Sequence, residues 1–364
     1  MIIESIELKN YRNYDELHMK FSPGTNILYG NNAQGKTNIL EAVYVCCTTK
    51  SHRGSKDREM IHFHEEESHI KLNIRKKEAP YRIDMHLKKN KAKGVAVDGI
   101  PIRKASELFG IVNVVFFSPE DLNIIKNGPS ERRKFLDLEI CQLDKLYVHD
   151  LIQYNKAILQ CNNLLKELPF HREYQDVLPI LEEQIVQYGT PLIRIRREFL
   201  QELSGIVQEI HAKLTDGREQ LELIYEPHVT EAEFAEKLQA ARSRDEKLKS
   251  TTVGPHRDDI CFEANGMDIR KYGSQGQQRT AALSLKLAEI ELVRKRIGQS
   301  PVLLLDDVLS ELDSSRQNQL LDSLQDVQTM ITCTGLDDFV RHRFHIDSVF
   351  EVQDGCIEKK RGIQ

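Results

Sequence analysis

No stretch of this 364-residue chain is apolar for long enough to cross a bilayer, and the opening MIIESIELKNYRNY carries glutamates where a secretion signal would be apolar. Export and membrane insertion are therefore not expected. Cysteine is sparse and unpatterned: there are seven, Cys46 and Cys47 adjacent and the rest scattered, with no CxxC spacing. That excludes zinc fingers and an evenly paired disulfide framework, and points to reduced thiols in a cytosolic protein. Positive charge is not in surplus either. A net charge of −5 gives no global attraction to nucleic acid or anionic membrane, so any such binding must come from a local basic surface. Internal repeats, low-complexity tracts and sustained heptads are missing, which leaves no long coiled-coil tether. The composition is ordinary for a globular protein, 40% apolar and 29% charged, in a chain long enough for two lobes with cores of their own.

The opening alternates apolar and polar residues, as half-buried strands do, and further strand-like runs follow at HIKLNIR, YRIDMHLKK and KGVAVDGIPI. From Leu122 the period lengthens. Leu151, Tyr154, Ile158, Cys161 and Leu165 recur three or four apart, and a second stripe of Ile185, Leu192, Phe199, Leu203, Ile206 and Ile210 runs from about Leu181 to Leu214, kinked at Pro191. Together they suggest an antiparallel helical hairpin. HVTEAEFAEKLQAARSRDEKLKS reads as another helix, and PVLLLDDV as a buried parallel strand. The expected fold is α/β: a discontinuous lobe built from residues 1–117 and 298–364, interrupted by a mainly helical lobe over residues 118–297.

The segment GNNAQGKT fits G-x-x-x-x-G-K-[ST], and it lies between the strand-like NILY and the helical NILEAVYV, as a phosphate loop requires. Gly30, Asn31, Asn32, Ala33, Gln34 and Gly35 then offer backbone N–H groups to phosphates, Lys36 a point charge, and Thr37 a hydroxyl for Mg²⁺. Such a loop needs an acidic partner on a neighbouring strand. LLLDD supplies Asp306 to hold Mg²⁺ and Asp307 to orient or deprotonate the attacking water. A third feature, KYGSQGQQRT, opens a strong helix. Ser274 there serves as a cap, yet Ser274, Gln275, Gly276 and Gln277 together make a pliable helix start that suits an anion.

The order of phosphate loop, long insertion, Gly-Gln-rich helix start and paired acids followed by Ser310, Glu311, Leu312 and Asp313 resembles the ATP-binding cassette superfamily. Within it, IELKNYRNY, GNNAQGKTNILEA, FFSPEDLNIIKNGPSERRKFLD, GPHRDD, SQGQQRT and LLLDDVLSELD resemble the RecF family of bacterial DNA replication and repair proteins, from residue 2 to about 335. The resemblance implies a P-loop ATPase head of the ABC/SMC/Rad50 type without the long coiled coil. It also implies two ATP molecules, with Mg²⁺, gluing a head-to-tail dimer in which Ser274 to Gln277 of one subunit cap the γ-phosphate on the other. The implied activity is slow, DNA-stimulated ATP hydrolysis in a cytoplasmic protein. That protein would bind single- and double-stranded DNA at gaps and, with RecR and RecO, help place RecA on single strands. The alternative is the energy-coupling ATPase of a membrane transporter.

Two departures from the wider pattern stand out. Asp307 replaces the usual glutamate, one methylene longer, and Thr332 and Thr334 stand where transporters carry a switch histidine. Arg12 is a further candidate for the nucleotide phosphates. Candidate DNA contacts are Lys88, Lys89, Lys91 and Lys93 in a probable hairpin turn, Arg132 and Arg133, and more weakly Arg194, Arg196 and Arg197. HFHEEESH reads as a solvated loop because it defines no complete ligand set for a metal. The role of GPHRDD is open between joining lobes and touching nucleotide.

Overall fold

Period-two alternation makes the first strands. β1 (Ile2–Tyr11) buries Ile6 and Leu8 and exposes Lys9, while β2 (Tyr14–Lys20) buries Leu17 and Met19 and exposes Glu16 and His18. β3 (Thr25–Tyr29) leaves this pattern because both its faces are covered. After helix α1 (Lys36–Thr48), strands β4 (Glu67–Lys76), β5 (Ala79–Lys88), β6 (Lys91–Val97) and β7 (Ile100–Pro101) continue the first sheet. Its order is β2-β1-β4-β5-β6-β7, and every pairing is antiparallel.

A second sheet is largely parallel. β8 (Val114–Phe117), β12 (Val302–Asp306), β13 (Thr329–Cys333), β14 (Ser348–Gln353) and β15 (Cys356–Lys360) combine with β3 in the order β15-β14-β3-β13-β12-β8. Val302, Leu303, Leu304 and Leu305 are fully buried, which is why this strand reads as a continuous apolar run instead of alternating. β3 and β12 both flank β13 in parallel register, so segments leaving their C-terminal ends emerge on the same edge, where α/β proteins place ligands.

By clustering of contacts the chain forms two units, Met1–Asp121 with Glu289–Gln364, and Leu122–Ala288. The computed structural model describes residues 1–309, 312–324, 326–335 and 345–360. The second unit contains α2 (Leu122–Lys126), α3 (Pro129–Leu143), α4 (Lys145–Glu167) and α5 (Leu178–Leu214), the last two paired as the expected hairpin. Asp144 caps α4 by accepting the N–H groups of Leu146 and Tyr147. α5 continues through Pro191 as one element. Its stripe departs from the expected positions: Ile206 and Ile210 are half-buried, and Val207 and His211, four and eight residues after Leu203 on the same face, take the interior places.

The three-stranded sheet β9 (Leu221–Glu226), β10 (Asp259–Ala264) and β11 (Met267–Asp268) packs on α5 and α3. The single helix expected over HVTEAEFAEKLQ and beyond is two short ones, α6 (Phe234–Ala240) and α7 (Arg242–Leu248), broken at Ala241. α8 (Ile269–Tyr272) is one turn, and α9 (Gln275–Ile297) carries the chain back towards β12. α10 (Ser314–Ser323) follows the paired acids. Among the described residues, no helix is long and apolar enough to cross a membrane.

Candidate functional site

The loop between β3 and α1 adopts a backbone that glycine alone tolerates at two points. Gly30 has φ 149° and Gly35 has φ 108°. A Cβ on Gly30 would lie 2.3 Å from the Val352 carbonyl oxygen, and one on Gly35 would lie 2.5 Å from Asn13 Nδ2. The loop is pinned from outside as well: the Asp354 N–H donates to Gln34 Oε1 (2.5 Å) and Asn13 Nδ2 to the Gln34 carbonyl (3.1 Å). Asn31, Asn32 and Ala33 remain exposed at its tip. Gly35 is the N-cap of α1 and has no side chain to satisfy the helix's first N–H groups, so they suit an anion.

Lys36 is 6% exposed and folds back over the loop, donating from Nζ to the carbonyls of Gly30 (2.6 Å) and Asn31 (2.8 Å). Burial pulls its ammonium below the ordinary lysine pKa, against the opposing charge of Asp307. On the other side of β13, Asp306 Oδ1 accepts two hydroxyls at 2.7 Å, from Thr37 and from Thr332. The Thr332 hydroxyl also accepts the Asp307 N–H at 3.1 Å. Asp307 itself sits at φ 57°, a left-handed turn that aspartate tolerates better than most residues. The structure thus brings Lys36, Thr37, Asp306 and Asp307 to one edge of the parallel sheet. Two hard oxygen donors, Thr37 Oγ1 and Asp306 Oδ1, share one point there, beside an ammonium. That donor set fits Mg²⁺ with a polyphosphate.

Sequence reasoning did not foresee what Thr332 does. It noted only the missing histidine; the anchor to Asp306 depends on β13 lying between the other two strands, which the sequence does not state. Thr334 is exposed. Ser310 and Glu311 lie outside the described residues. Asp313 caps α10 by accepting the Arg316 N–H.

Arg12 is engaged elsewhere than the expectation had it. It grips Glu41 of α1 in a fork (Nε and Nη2, each 2.7 Å) and also donates to the Glu59 carbonyl and Ser55 Oγ. Glu41 is fully buried; burial opposes its ionisation, but the bonds from Arg12 and Ser51 outweigh it and hold the carboxyl below its usual range. Arg12 therefore positions the helix that carries Lys36 and Thr37.

In the second unit, Ser274 and Gln277 cap α9 reciprocally. The Gln277 N–H donates to Ser274 Oγ (3.2 Å), and the Ser274 N–H to Gln277 Oε1 (2.9 Å). Capping thus accounts for two of the unusual residues. It does not account for Gly276, whose φ is not positive and whose Cβ would meet nothing nearer than Ser274 Oγ at 3.9 Å. Ser274, Gln275 and Gly276 are exposed.

The basic candidates sort by what already holds them. Arg132 is buried, forks onto Asp259 (2.5 and 3.1 Å) and caps the Asn127 carbonyl, so the expectation that it touches DNA is corrected. Arg133 donates to the Asp258 carbonyl and is half-buried. Arg196 is also removed from that list: it is 2% exposed and bonded to Tyr147, Pro255, Asp258 and Asp137. Arg197 pairs with Glu231, and Arg194 is exposed. In the β5–β6 turn Lys93 is held by Asp57 and Lys89 by Glu66, while Lys88 is half-exposed and Lys91 exposed.

GPHRDD resolves in the same way. Asp258 accepts from Arg196, Tyr225 and the His228 N–H, and Asp259 from Arg132 and Arg270, while His256 joins Tyr154 to the Thr251 carbonyl. Arg257 alone of these side chains is exposed. The signal for this hub was the pairing of arginines on amphipathic helices with a run of acids, and only the fold says which pairs with which.

Residues 2–358 match the family model described as RecF/RecN/SMC N terminal domain. The chain is 60% identical over 359 residues to the DNA replication and repair protein RecF of Lachnoclostridium phytofermentans, covering 99% of this chain and 100% of that one. To the protein of the same description from Agathobacter rectalis it is 61% identical over 358 residues, 98% and 99% of the two chains. Among solved structures, a recombination mediator protein RecF-ATP of the RecFOR pathway superposes with a TM-score of 0.93 at 37% identity, covering 99% of this chain and 97% of that one.

Proposed function

The chain belongs to the RecF family, with the P-loop head fold of the ABC and SMC ATPases, and on that premise we propose that it works as an ATP-driven DNA clamp in replication and repair. It is an ATPase of that family. The membrane-transporter alternative is set aside, because the relatives are replication and repair proteins.

One observation carries the nucleotide reading: Thr37 Oγ1 lies 2.7 Å from Asp306 Oδ1 beside the buried Lys36 ammonium, at the mouth of a loop shaped by Gly30 and Gly35. The backbone N–H groups of Gly30 to Gly35 receive the phosphates of ATP, and Lys36 exchanges two loop carbonyls for phosphate oxygens. Thr37 and Asp306 would hold Mg²⁺, which when bound would neutralise charge on the phosphates. Asp307 takes a proton from the attacking water at its carboxylate. Its shorter reach, compared with glutamate, makes turnover slow.

The exposed, uncrowded Gly276 supports action in trans. Its lack of a side chain serves nothing in its own subunit, and it leaves the α9 N-terminus open to the γ-phosphate of a second copy. ATP therefore closes a head-to-tail dimer, and hydrolysis releases it. Among the candidate DNA contacts, Lys91 and Arg194 are exposed and Lys88 is half-exposed, so these remain available to DNA phosphates. We assign single- and double-stranded DNA at gaps as the ligand, weak stimulation of hydrolysis by DNA, RecR with RecO as partners in placing RecA, and the cytoplasm as the compartment.

Sedimentation of the protein with ATP and Mg²⁺, with ADP, and with each plus a gapped duplex tests this reading. A dimer under ATP supports it. A monomer in every condition overturns it, since Ser274 and Gly276 then have no partner phosphate.

A further inference from the structure

The polar face of the antiparallel sheet carries a cluster that the nucleotide chemistry does not use. β4 and β5 set His69 directly opposite His86, and Glu67 lies two residues along β4, on the same face. The two imidazoles stack with centroids 3.9 Å apart and planes 24° from parallel. Both turn towards one carboxylate: His86 Nε2 is 2.9 Å from Glu67 Oε2, and His69 Nε2 is 3.7 Å from Glu67 Oε1. The three ligand atoms lie within 4.8 Å of one another. Glycine follows in the same row, since Gly94 of β6 pairs with His86, and a Cβ there would meet nothing nearer than His86 Cβ at 3.8 Å. A groove of about 510 Å³ runs over this row.

We propose that Glu67, His69 and His86 form a site for a divalent transition-metal ion, Zn²⁺ foremost. Two imidazoles and a carboxylate are the donor set that Zn²⁺ accepts in three-ligand sites, with a fourth position left open, here towards the groove above Gly94. The distances suit it. Metal–ligand bonds of about 2.0–2.1 Å in a tetrahedron put neighbouring donor atoms about 3.3 Å apart; here the two imidazole nitrogens lie 2.9 and 3.7 Å from different oxygens of Glu67, and one donor atom from each residue falls within 4.8 Å of the others. Closing the site on one carboxylate oxygen takes side-chain rotation of Glu67 and of the two stacked rings.

The surroundings set the strength. Lys9 pairs with His69 across β1, Lys88 with Glu67, and Lys71 lies near with Glu7 as its own partner. These cations make the site weaker than a closed four-ligand structural zinc. They also bring anions to the open position.

The test is a Zn²⁺ titration of the full-length protein in competition with a chromogenic chelator, in excess Mg²⁺ to saturate Thr37 and Asp306. Co²⁺ substitution, read by its visible absorption, runs in parallel. One saturable equivalent is expected. His69→Gln and His86→Gln should each weaken binding by at least the roughly tenfold that losing even an outer-shell partner costs, and should abolish the Co²⁺ bands. Glu67→Gln, at an exposed position, asks the same question without touching the stacked rings. Absence of a saturable equivalent in the unaltered protein overturns the proposal, as does undiminished binding in the folded His86→Gln or Glu67→Gln protein.

Discussion

Replacing Thr332 by valine keeps the shape of a buried side chain and removes one oxygen. That oxygen makes two bonds: it donates to Asp306 at 2.7 Å and accepts the Asp307 N–H at 3.1 Å. A hydrogen bond to a charged group contributes about 1.5–3 kcal/mol, and a neutral one about 1. Asp306 is partly exposed, so water can replace part of the first bond, and the expected loss is about 2 kcal/mol. For a unit of this size that is a fall in Tm of about 4–8 °C, measured on the ATP-free protein. Turnover should suffer separately, because the Asp307 backbone loses the anchor that holds its left-handed turn. A fall in kcat of about tenfold, equivalent to about 1.4 kcal/mol, is the expected size. Thr332→Ser keeps the hydroxyl and should retain turnover. If Thr332→Val matches the unaltered protein in both Tm and turnover, the strand between the loop and the acids does not position the acids, and the account of the site is wrong.

Lys36→Ala should abolish tight ATP binding and ATP-dependent dimerisation, read by equilibrium dialysis and sedimentation; retention of both contradicts the phosphate-loop reading. Ser274→Arg should still bind ATP but neither dimerise nor hydrolyse it, and unchanged turnover would exclude action in trans. Arg196→Met leaves Asp258, 1% exposed, and Asp137 without their cation, at a cost of about 3–5 kcal/mol visible in denaturant unfolding. A change below about 1 kcal/mol would show that this hub is not structural. Burial pulls His52 down to about 4, and burial does the same to His256. Because the folded state resists protonation that the unfolded chain accepts near 6.5, stability should fall as pH drops from 6.5 to 4, by up to about 3 kcal/mol for each. His52→Phe should flatten that slope in the unit that also holds Phe116, against which His52 stacks at 4.1 Å; a slope no shallower than the unaltered protein's refutes the assignment.

The sequence by itself determined the local structures whose cause is local. Gly30 and Gly35 flank a loop that turns with positive φ, Ser274 caps the helix it precedes, and VLLL can be buried on both faces only as a central strand. Each of these depends on neighbours within a few residues, so spacing alone reveals it. The tertiary structure decided everything that joins distant segments. Arg12 and Arg132 looked like anion contacts because arginine's sequence neighbours do not show that Glu41 and Asp259 will face them. Thr332 acquired its place on Asp306 because β13 threads between β3 and β12, and His69 found His86 only through the register of β4 on β5. The physical reason is the same in each case: a side chain's partner is set by which backbones pack side by side, and that pairing is chosen by the burial of whole sheets, not by any one motif.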